Sequence, residues 1–327
     1  MIRKSLFTIL ALVLSLGVWA QSITRSPSAH EPLMDFAWCQ WEPFNMYCKV
    51  TPDGMGEQQC FPGCVATAMA QLIYYHAKQS DAGKVECKAI PSYTYNFYDV
   101  ENNKYVSCTV PELEATTFEW DKICGYYKKE ASGESAEAVA KLMYYCAASI
   151  QTMFGTDVSL AYDSKVINAM TTYWGYPDNI QFVRSADYAW EDFENLLKAE
   201  IEAGRPVWYA ADNTLGGDEH DLIVDGWDAE GRFHINWGWD RQGDGKGKDK
   251  YNGYFYLTEM VVPNVENQAY NGNPTAFLNF TPAASSGIKT AMEHNDKEAM
   301  IYDLQGRRLT KAPAKGIYIQ GGKKYIK

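Results

Sequence analysis

The sequence predicts an α+β protein with two lobes, one helical and one built on an antiparallel sheet, followed by a small β appendage at the C-terminus. Apolar residues recur at three- and four-residue steps through the first half of the chain, which is the period of an amphipathic helix. The second half switches to an alternation of period two between glycine-rich turns, which is typical of strands. Helices and strands in separate halves of one chain indicate the α+β class.

The first predicted helix begins at Cys64, directly after Pro62 and Gly63, which are helix start signals. Its apolar stripe runs as far as His76. Three further helices are predicted, at residues 135–154, 163–174 and 189–203. The intervening residues 81–130 are rich in Tyr, Thr and Val, and we expect irregular structure with short strands there.

The second half contains a succession of short strand patterns. Five strands are predicted, at residues 207–211, 221–227, 232–237, 253–257 and 276–280. Because Gly-rich turns separate them, we expect an antiparallel meander. Beyond a Pro/Ala/Ser/Gly linker at residues 281–287, two more strand segments are expected, at 300–309 and 316–326.

The N-terminus has the pattern of a secretory signal. Arg3 and Lys4 precede an apolar run at residues 6–18, and Ala20 follows, so cleavage is expected before Gln21. The run is short for a bilayer span, and no later stretch is long and apolar enough to cross a membrane. The predicted organisation is a signal peptide at 1–20, a short leader at 21–35, a main domain at 36–282, and a linker with a C-terminal tail at 283–327.

Composition excludes some classes of partner and leaves the cysteine pairing open. The net charge of -11 disfavours nucleic acid and anionic membrane surfaces as partners. The chain has eight cysteines, but at 327 residues it is too large to need a disulfide scaffold. If one cysteine is a free nucleophile, an odd number remains, so at least one more is unpaired.

Cys64 is the best candidate for a nucleophile. At the first turn of a helix, unpaired N–H groups and the positive end of the helix dipole stabilise a thiolate. A thioredoxin-like redox motif is excluded because Cys60 and Cys64 are separated by three residues and not two. A structural zinc site lacks a second Cys/His pair at suitable spacing. A buried or disulfide-bonded Cys64 remains the alternative.

The general base is sought among five histidines. His76 lies twelve residues along the nucleophile's own helix, which places it roughly 18 Å away. His220 opens a predicted strand, where catalytic groups concentrate, whereas His234 lies within a strand, where a core histidine is commoner. An Asn side chain can orient an imidazole, so Asn236 and the adjacent Trp237 are candidate partners, although strand alternation lets only one of them face the site.

These residues resemble the motifs of the streptopain family, secreted bacterial cysteine peptidases of papain-like fold. Residues 63–71 resemble the family's nucleophile segment, and residues 38–45 resemble its upstream segment. Residues 220–226, 233–239 and 253–255 resemble the histidine strand and the two strands after it. The motifs occur in the correct order over about residues 36 to 280. The resemblance therefore implies a two-lobed papain-like fold for this region.

The resemblance also implies a role for each matching residue. Cys64 would be the nucleophile, His220 the base and Gln40 an oxyanion-hole donor, while Asn236 and Trp237 would orient or cover the histidine. The implied activity is hydrolysis of peptide bonds in protein or peptide substrates through a thioester, without a metal or organic cofactor. An amidase or acyl transferase with the same Cys-His pair, and a non-catalytic binding protein on the same fold, are the alternatives.

Two departures from the family stand out. Few residues separate the predicted signal from Gln40, so we expect no built-in propeptide, and a separate proteinaceous inhibitor is a candidate partner. The neighbours of His220 are acidic, namely Asp218, Glu219 and Asp221. Nearby carboxylates are expected to raise the pKa of the imidazole and to favour an imidazolium–thiolate pair.

The sequence also allows a prediction for each of two further segments. Residues 240–250 partly match a calcium loop, but Tyr251 replaces the required Glu and lysines occupy or adjoin ligand positions, so we exclude calcium. A mobile loop that gates the cleft is expected instead.

Residues 301–308 and 315–319 resemble the C-terminal sorting tails of secreted Bacteroidota proteins, which predicts a secreted or cell-surface location.

Overall fold

The computed structural model describes residues 29–239, 251–262 and 265–282, together with short strands beyond residue 300. The predicted signal peptide, the loop at 240–250 and the linker at 283–287 lie outside the described residues. Within the described part, no helix has the length and apolar character needed to cross a membrane. The chain divides after residue 283 into two compact units, which are described separately.

The helices of the first unit begin close to the predicted positions, but the second helix ends at Ser149 and not at residue 154 as predicted. The described residues of this unit form four α-helices, α1 (Cys64–Gln79), α2 (Glu134–Ser149), α3 (Val166–Thr172) and α4 (Trp190–Glu202). Helix α3 is shorter than expected because its first residues, 163–165, form a 3-10 turn. Helix α1 is buried on nearly every side and packs against α2, so it forms the centre of the helical lobe.

Gly63 has a structural reason to precede α1. Its φ of 86° lies in the left-handed region, which glycine adopts without steric cost. A Cβ at this position would also lie 3.3 Å from the carbonyl oxygen of Ser159. The glycine therefore lets the chain turn into α1 while a neighbouring segment packs closely against the turn.

Two small sheets belong to the helical half. One pairs β1 (Lys49–Val50) with β2 (Gln58–Gln59), and the other pairs β3 (Tyr93–Asp99) with β4 (Lys104–Val110). The β3–β4 hairpin has seven residue pairs. It is therefore a longer and more regular element than the short strands expected for residues 81–130.

The second lobe is a six-stranded antiparallel sheet. Its strands are β5 (Gln181–Arg184), β6 (Val207–Asn213), β7 (Glu219–Trp227), β8 (Phe233–Asn236), β9 (Gly253–Phe255) and β10 (Tyr270–Leu278), in the order β5-β10-β6-β7-β8-β9. Strands β6 to β9 form the predicted meander. The last strand departs from it, because β10 lies on the other side of β6, between β6 and β5, and pairs with both.

The sheet separates two apolar cores, and side-chain alternation decides which core each residue enters. On β7, Leu222 and Val224 belong to the core that includes α4, whereas Ile223 belongs to the core around α1 and α2. The same alternation places His220 and Asp221, at the start of β7, on opposite faces of the strand. The side chains of His220 and Asp221 therefore leave β7 in different directions, which determines how each of them is placed in the site.

The second unit contains a four-stranded antiparallel sheet in the order β12-β11-β13-β14. Its strands are β11 (Ile301–Tyr302), β12 (Arg308–Leu309), β13 (Ile317–Gln320) and β14 (Lys323–Ile326). The two expected strand segments at 300–309 and 316–326 thus each contain a pair of antiparallel strands.

Candidate active site

A single cleft contains the three main residues that the sequence analysis selected. Its volume is about 570 Å³, and Gln40, Cys64 and His220 all line it. Its lining includes the apolar side chains Trp41, Phe61, Val158 and Leu160 and four acidic ones, Asp157, Asp218, Glu219 and Asp221. Among the described residues that line the cleft there is no lysine or arginine.

Cys64 is the first residue of α1 and is half-buried at the base of the cleft. Its thiol donates a hydrogen bond to Oδ2 of Asp221, with Sγ and Oδ2 3.8 Å apart. Burial raises the pKa of the thiol well above its usual range, and the negative charge of Asp221 raises it further when that carboxyl is ionised. The backbone N–H groups of Cys64 and Val65 lower this pKa, but by less. The N–H groups at the helix start thus favour the thiolate, as expected, but burial outweighs them and the resting thiol keeps its proton.

His220 lies on β7 with its ring buried against aromatic side chains. Its Nε2 lies 2.8 Å from the carbonyl oxygen of Trp237. Because a carbonyl can only accept, Nε2 carries the proton, and Nδ1 of the neutral ring is the nitrogen with a free lone pair. The rings of Trp239 and Tyr270 are centred 4.2 and 5.3 Å from the imidazole.

The charge state of His220 differs from the expectation. Burial lowers the pKa of the imidazole to about 4, and this effect outweighs the carbonyl of Trp237 and the charge of Asp218, which both raise it. The acidic neighbours thus act in the predicted direction, but desolvation is larger. The resting Cys64 and His220 are therefore a neutral thiol and a neutral imidazole, and the expected imidazolium–thiolate pair is corrected accordingly.

Of the two residues expected to orient the histidine, only Trp237 contacts it. Trp237 supplies the carbonyl acceptor, and its indole ring stacks at 6.1 Å from the imidazole. The amide of Asn236 instead donates to the carbonyl of Phe36 over 3.1 Å, and its Oδ1 accepts from the N–H of Gly238. The orienting role of Asn236 stays a prediction, and the hydrogen bonds of its side chain to Phe36 and Gly238 do not support it.

Gln40 reaches the cleft through a segment anchored on α1. The backbone N–H of Trp38 donates to Oε1 of Gln71 over 3.2 Å, and the Trp38 ring stacks on Tyr74 at 4.8 Å. Gln71 and Tyr74 both belong to α1, so this anchoring holds the segment beside the helix that carries Cys64. The oxyanion role of Gln40 stays a prediction.

The other histidines of the main domain are engaged elsewhere. Nδ1 of His76 lies 2.7 Å from the hydroxyl of Tyr176, and Nδ1 of His234 lies 2.6 Å from a carboxylate oxygen of Asp225. Neither lines the cleft. His294 lies outside the described residues.

Two carboxyl groups near the nucleophile had no clear signal in the sequence. Asp221 was noted only as an acidic neighbour of His220, yet its carboxyl is the partner of the Cys64 thiol. Asp163, at the start of the 3-10 turn before α3, interacts with the Asp221 carboxyl although it is far from Cys64 and His220 in the chain. Only the folded chain brings these groups together.

The described residues contain no cluster of three or more His, Cys, Asp or Glu side chains that could hold a metal ion. All eight cysteines lie within the described residues, and none forms a disulfide. Cys124 is exposed, and every other cysteine except Cys64 is buried. Cys64 is thus the cysteine that lines the cleft.

The fold is similar to that of solved cysteine peptidases. Interpain A of Prevotella intermedia, a cysteine protease, matches with a TM-score of 0.59 at 22% identity, over 77% of this chain and 95% of interpain A. A helix-opening cysteine and a histidine on an antiparallel sheet that line one cleft are the arrangement of papain-like cysteine peptidases.

Residues 38–247 match the Peptidase C10 family, and the chain belongs to this family. It is 27% identical to streptopain of Streptococcus pyogenes serotype M28 over 215 residues, which are 63% of this chain and 51% of streptopain. It is also 28% identical to the thiol protease/hemagglutinin PrtT of Porphyromonas gingivalis over 233 residues, which are 70% of this chain and 23% of PrtT. The chain thus spans about half the length of the streptopain it matches.

Proposed function

We propose that this protein is a secreted cysteine endopeptidase whose catalytic domain is residues 36–282, with Cys64 as nucleophile and His220 as general base. The observation that carries the proposal is that the thiol at the start of α1 and a neutral imidazole on β7 line the same cleft. Family membership supports the cysteine-type chemistry. The signal pattern at the N-terminus and the sorting-type tail support export.

The proposed reaction begins from neutral groups. Nδ1 of His220 takes the proton of the Cys64 thiol as Sγ attacks the scissile carbonyl, and the negative charge develops on the carbonyl oxygen. The side-chain amide of Gln40 and the backbone N–H of Cys64 would donate hydrogen bonds to this oxyanion. The imidazolium then protonates the leaving amine, which yields a thioester, and His220 activates a water molecule that hydrolyses it.

The hydrogen bond to Trp237 supports this role for His220. It fixes the tautomer in which Nε2 carries the proton and Nδ1 is free to act as base. It can also stabilise the imidazolium, because a carbonyl acceptor strengthens as the ring gains charge. The backbone of Trp237 would therefore act as the third member of the catalytic group.

The substrates are proposed to be proteins or peptides that enter the open cleft. A proteinaceous inhibitor encoded separately is a candidate regulator, and it would occupy the same cleft. No metal or organic cofactor takes part in the proposed steps.

The proposal is tested by casein hydrolysis with the full chain, its Cys64→Ala variant and a Cys124→Ser control. Cys124 is the exposed cysteine and lies outside the cleft. We expect the control to cleave casein like the wild type and the Cys64→Ala variant to lose cleavage. Undiminished cleavage by Cys64→Ala refutes the proposal. Cleavage of small amides without cleavage of casein favours the amidase alternative, and a lack of both favours the binding protein.

A further inference from the structure

Asp221 is a buried residue of β7 whose carboxyl group faces the nucleophile. The residue is 4% exposed. Its Oδ1 accepts a hydrogen bond from Nε1 of Trp208 over 2.6 Å, which fixes the orientation of the carboxyl group. This leaves Oδ2 as the atom that faces the sulfur of Cys64, at 3.8 Å.

The surroundings of Asp221 favour its protonated form. The neighbouring titratable groups are Asp163 ahead of α3, Glu219 on the same strand and the Cys64 thiol on α1. Burial and the negative charges of Asp163 and Glu219 raise the pKa of Asp221 well above its usual value, although the Trp208 N–H lowers it in part. Burial raises the pKa of Asp163 as well, and the hydrogen bond of Asp163 with the Asp221 carboxyl lowers it in part. The Asp163–Asp221 pair therefore holds a proton to higher pH than an isolated carboxyl would.

The two forms of Asp221 affect the sulfur in opposite ways. An ionised Oδ2 accepts the thiol hydrogen and repels a thiolate, so it keeps the nucleophile protonated. A protonated Oδ2–H has a hydrogen to donate to the sulfur, and it removes the repulsion. The negative form of the nucleophile is thus disfavoured by the first state and stabilised by the second.

We propose that Asp221 is a positioning residue that sets the reactivity of Cys64, supporting attack when Oδ2 is protonated and restraining it when Oδ2 is ionised. The inference rests on the proposed function in that Cys64 is the nucleophile. In the attack step the thiol proton passes to Nδ1 of His220 and the new bond forms between Sγ and the substrate carbonyl carbon. Asp221 keeps its own proton throughout. The peptidase would therefore be most active on the acidic side of the Asp221 titration.

The test compares Asp221→Asn with the wild type and with Asp163→Asn. An asparagine at 221 retains an oxygen acceptor for Trp208 and presents a permanent N–H donor to the sulfur. Asp163→Asn removes the neighbouring charge without changing the group that touches Cys64. The readouts are the rate of iodoacetamide alkylation of Cys64 against pH, measured by peptide mapping, and kcat/KM against pH on a fluorogenic peptide.

We expect the alkaline limb of kcat/KM to disappear in Asp221→Asn and to move to lower pH in Asp163→Asn. We also expect Cys64 of Asp221→Asn to be alkylated about tenfold faster than the wild type on the alkaline side of the Asp221 titration, where the wild-type carboxylate repels the thiolate, the effect of a thiol pKa one unit lower. An unchanged or slower alkylation rate, or an alkaline limb that stays in place in Asp221→Asn, overturns the proposal. Alkylation reads the thiol itself, so this inference can fail while the Cys64→Ala result still supports the peptidase, and the reverse also holds.

Discussion

Nε2 of His220 donates to the backbone carbonyl of Trp237 over 2.8 Å, and this hydrogen bond leaves Nδ1 as the basic nitrogen of the ring. A backbone carbonyl thus takes the place that the sequence analysis gave to a side-chain amide. Because the carbonyl belongs to the residue directly after β8, its position depends on the pairing of β7 with β8.

The low pKa of His220 predicts the acidic limit of activity. A general base works only while it is neutral, and burial lowers the pKa of this imidazole to about 4. We therefore expect kcat/KM to persist as the pH falls below 6.5, the usual value for histidine, and to decline only near pH 4. The measurement is kcat/KM against pH with a short fluorogenic peptide that remains soluble throughout. A limb between pH 6 and 7 would show that the ring is solvated in the working enzyme.

Gln40 tests the proposed oxyanion hole. Removing one donor to the oxyanion lowers kcat by about 10²- to 10³-fold in such sites, because the interaction is made in the transition state. We expect Gln40→Ala to show this loss with little change in KM. The matched control is Gln268→Ala, since Gln268 lines the same cleft. Equal effects of the two substitutions would mean that Gln40 acts only as a residue of the cleft wall and not as a donor to the oxyanion.

Asn236 is predicted to matter for stability and not for catalysis. Its buried amide bonds the carbonyl of Phe36, so Asn236→Ala leaves a buried acceptor unpaired. We expect the free energy of unfolding to fall by about 1–3 kcal/mol, as measured by urea denaturation. At a temperature where the variant is folded, kcat/KM should stay close to the wild-type value. A large fall in kcat with unchanged stability would restore the orienting role that the sequence analysis assigned to Asn236.

The lowered pKa of His76 predicts that the folded protein loses stability in acid. Burial lowers its pKa in the folded protein to about 4, whereas in the unfolded chain it is about 6.5. Between these values the unfolded state binds more protons, so the free energy of unfolding falls as the pH falls, by up to about 3 kcal/mol from this residue. The stability is fully present above the unfolded pKa.

His220 also makes the free energy of unfolding fall as the pH falls, because burial lowers its pKa in the folded protein as well. We therefore expect His76→Asn, which keeps a polar group near the Tyr176 hydroxyl, to flatten the pH dependence only in part. Urea denaturation at pH 7 and pH 4.5 of both proteins measures this difference. Parallel curves for wild type and variant would mean that His76 is not buried in its neutral form.

Local sequence signals predicted much of the fold. Pro62 and Gly63 mark the start of α1, and the alternating strand patterns mark β6 to β9, because these features depend on neighbouring residues. The position of β10 between β5 and β6 could not be predicted in this way. It depends on pairing between residues far apart in the chain, and successive strand patterns do not encode their spatial order.

The candidate site, like the fold, could be predicted from the sequence only where local features indicate it. Cys64 and His220 were selected by residue type and element position, but their protonation states were not, because burial of the thiol and of the imidazole outweighs the local charges. Every residue has a backbone carbonyl, so no sequence motif can indicate that the carbonyl of Trp237 is the partner of His220. The contact of Asp163 with Asp221 arises from the packing of the segment before α3 against β7.

The most direct test of the account is to treat the full chain with a thiol-directed epoxide and to map the adduct by peptide mass spectrometry. We expect modification at Cys64, with loss of casein cleavage, and much slower modification when His220 is replaced by alanine. Cys124 serves as the internal reference for an exposed thiol outside the cleft. Modification at Cys124 in place of Cys64, or a His220→Ala variant modified at the wild-type rate, would contradict the pairing of these two residues.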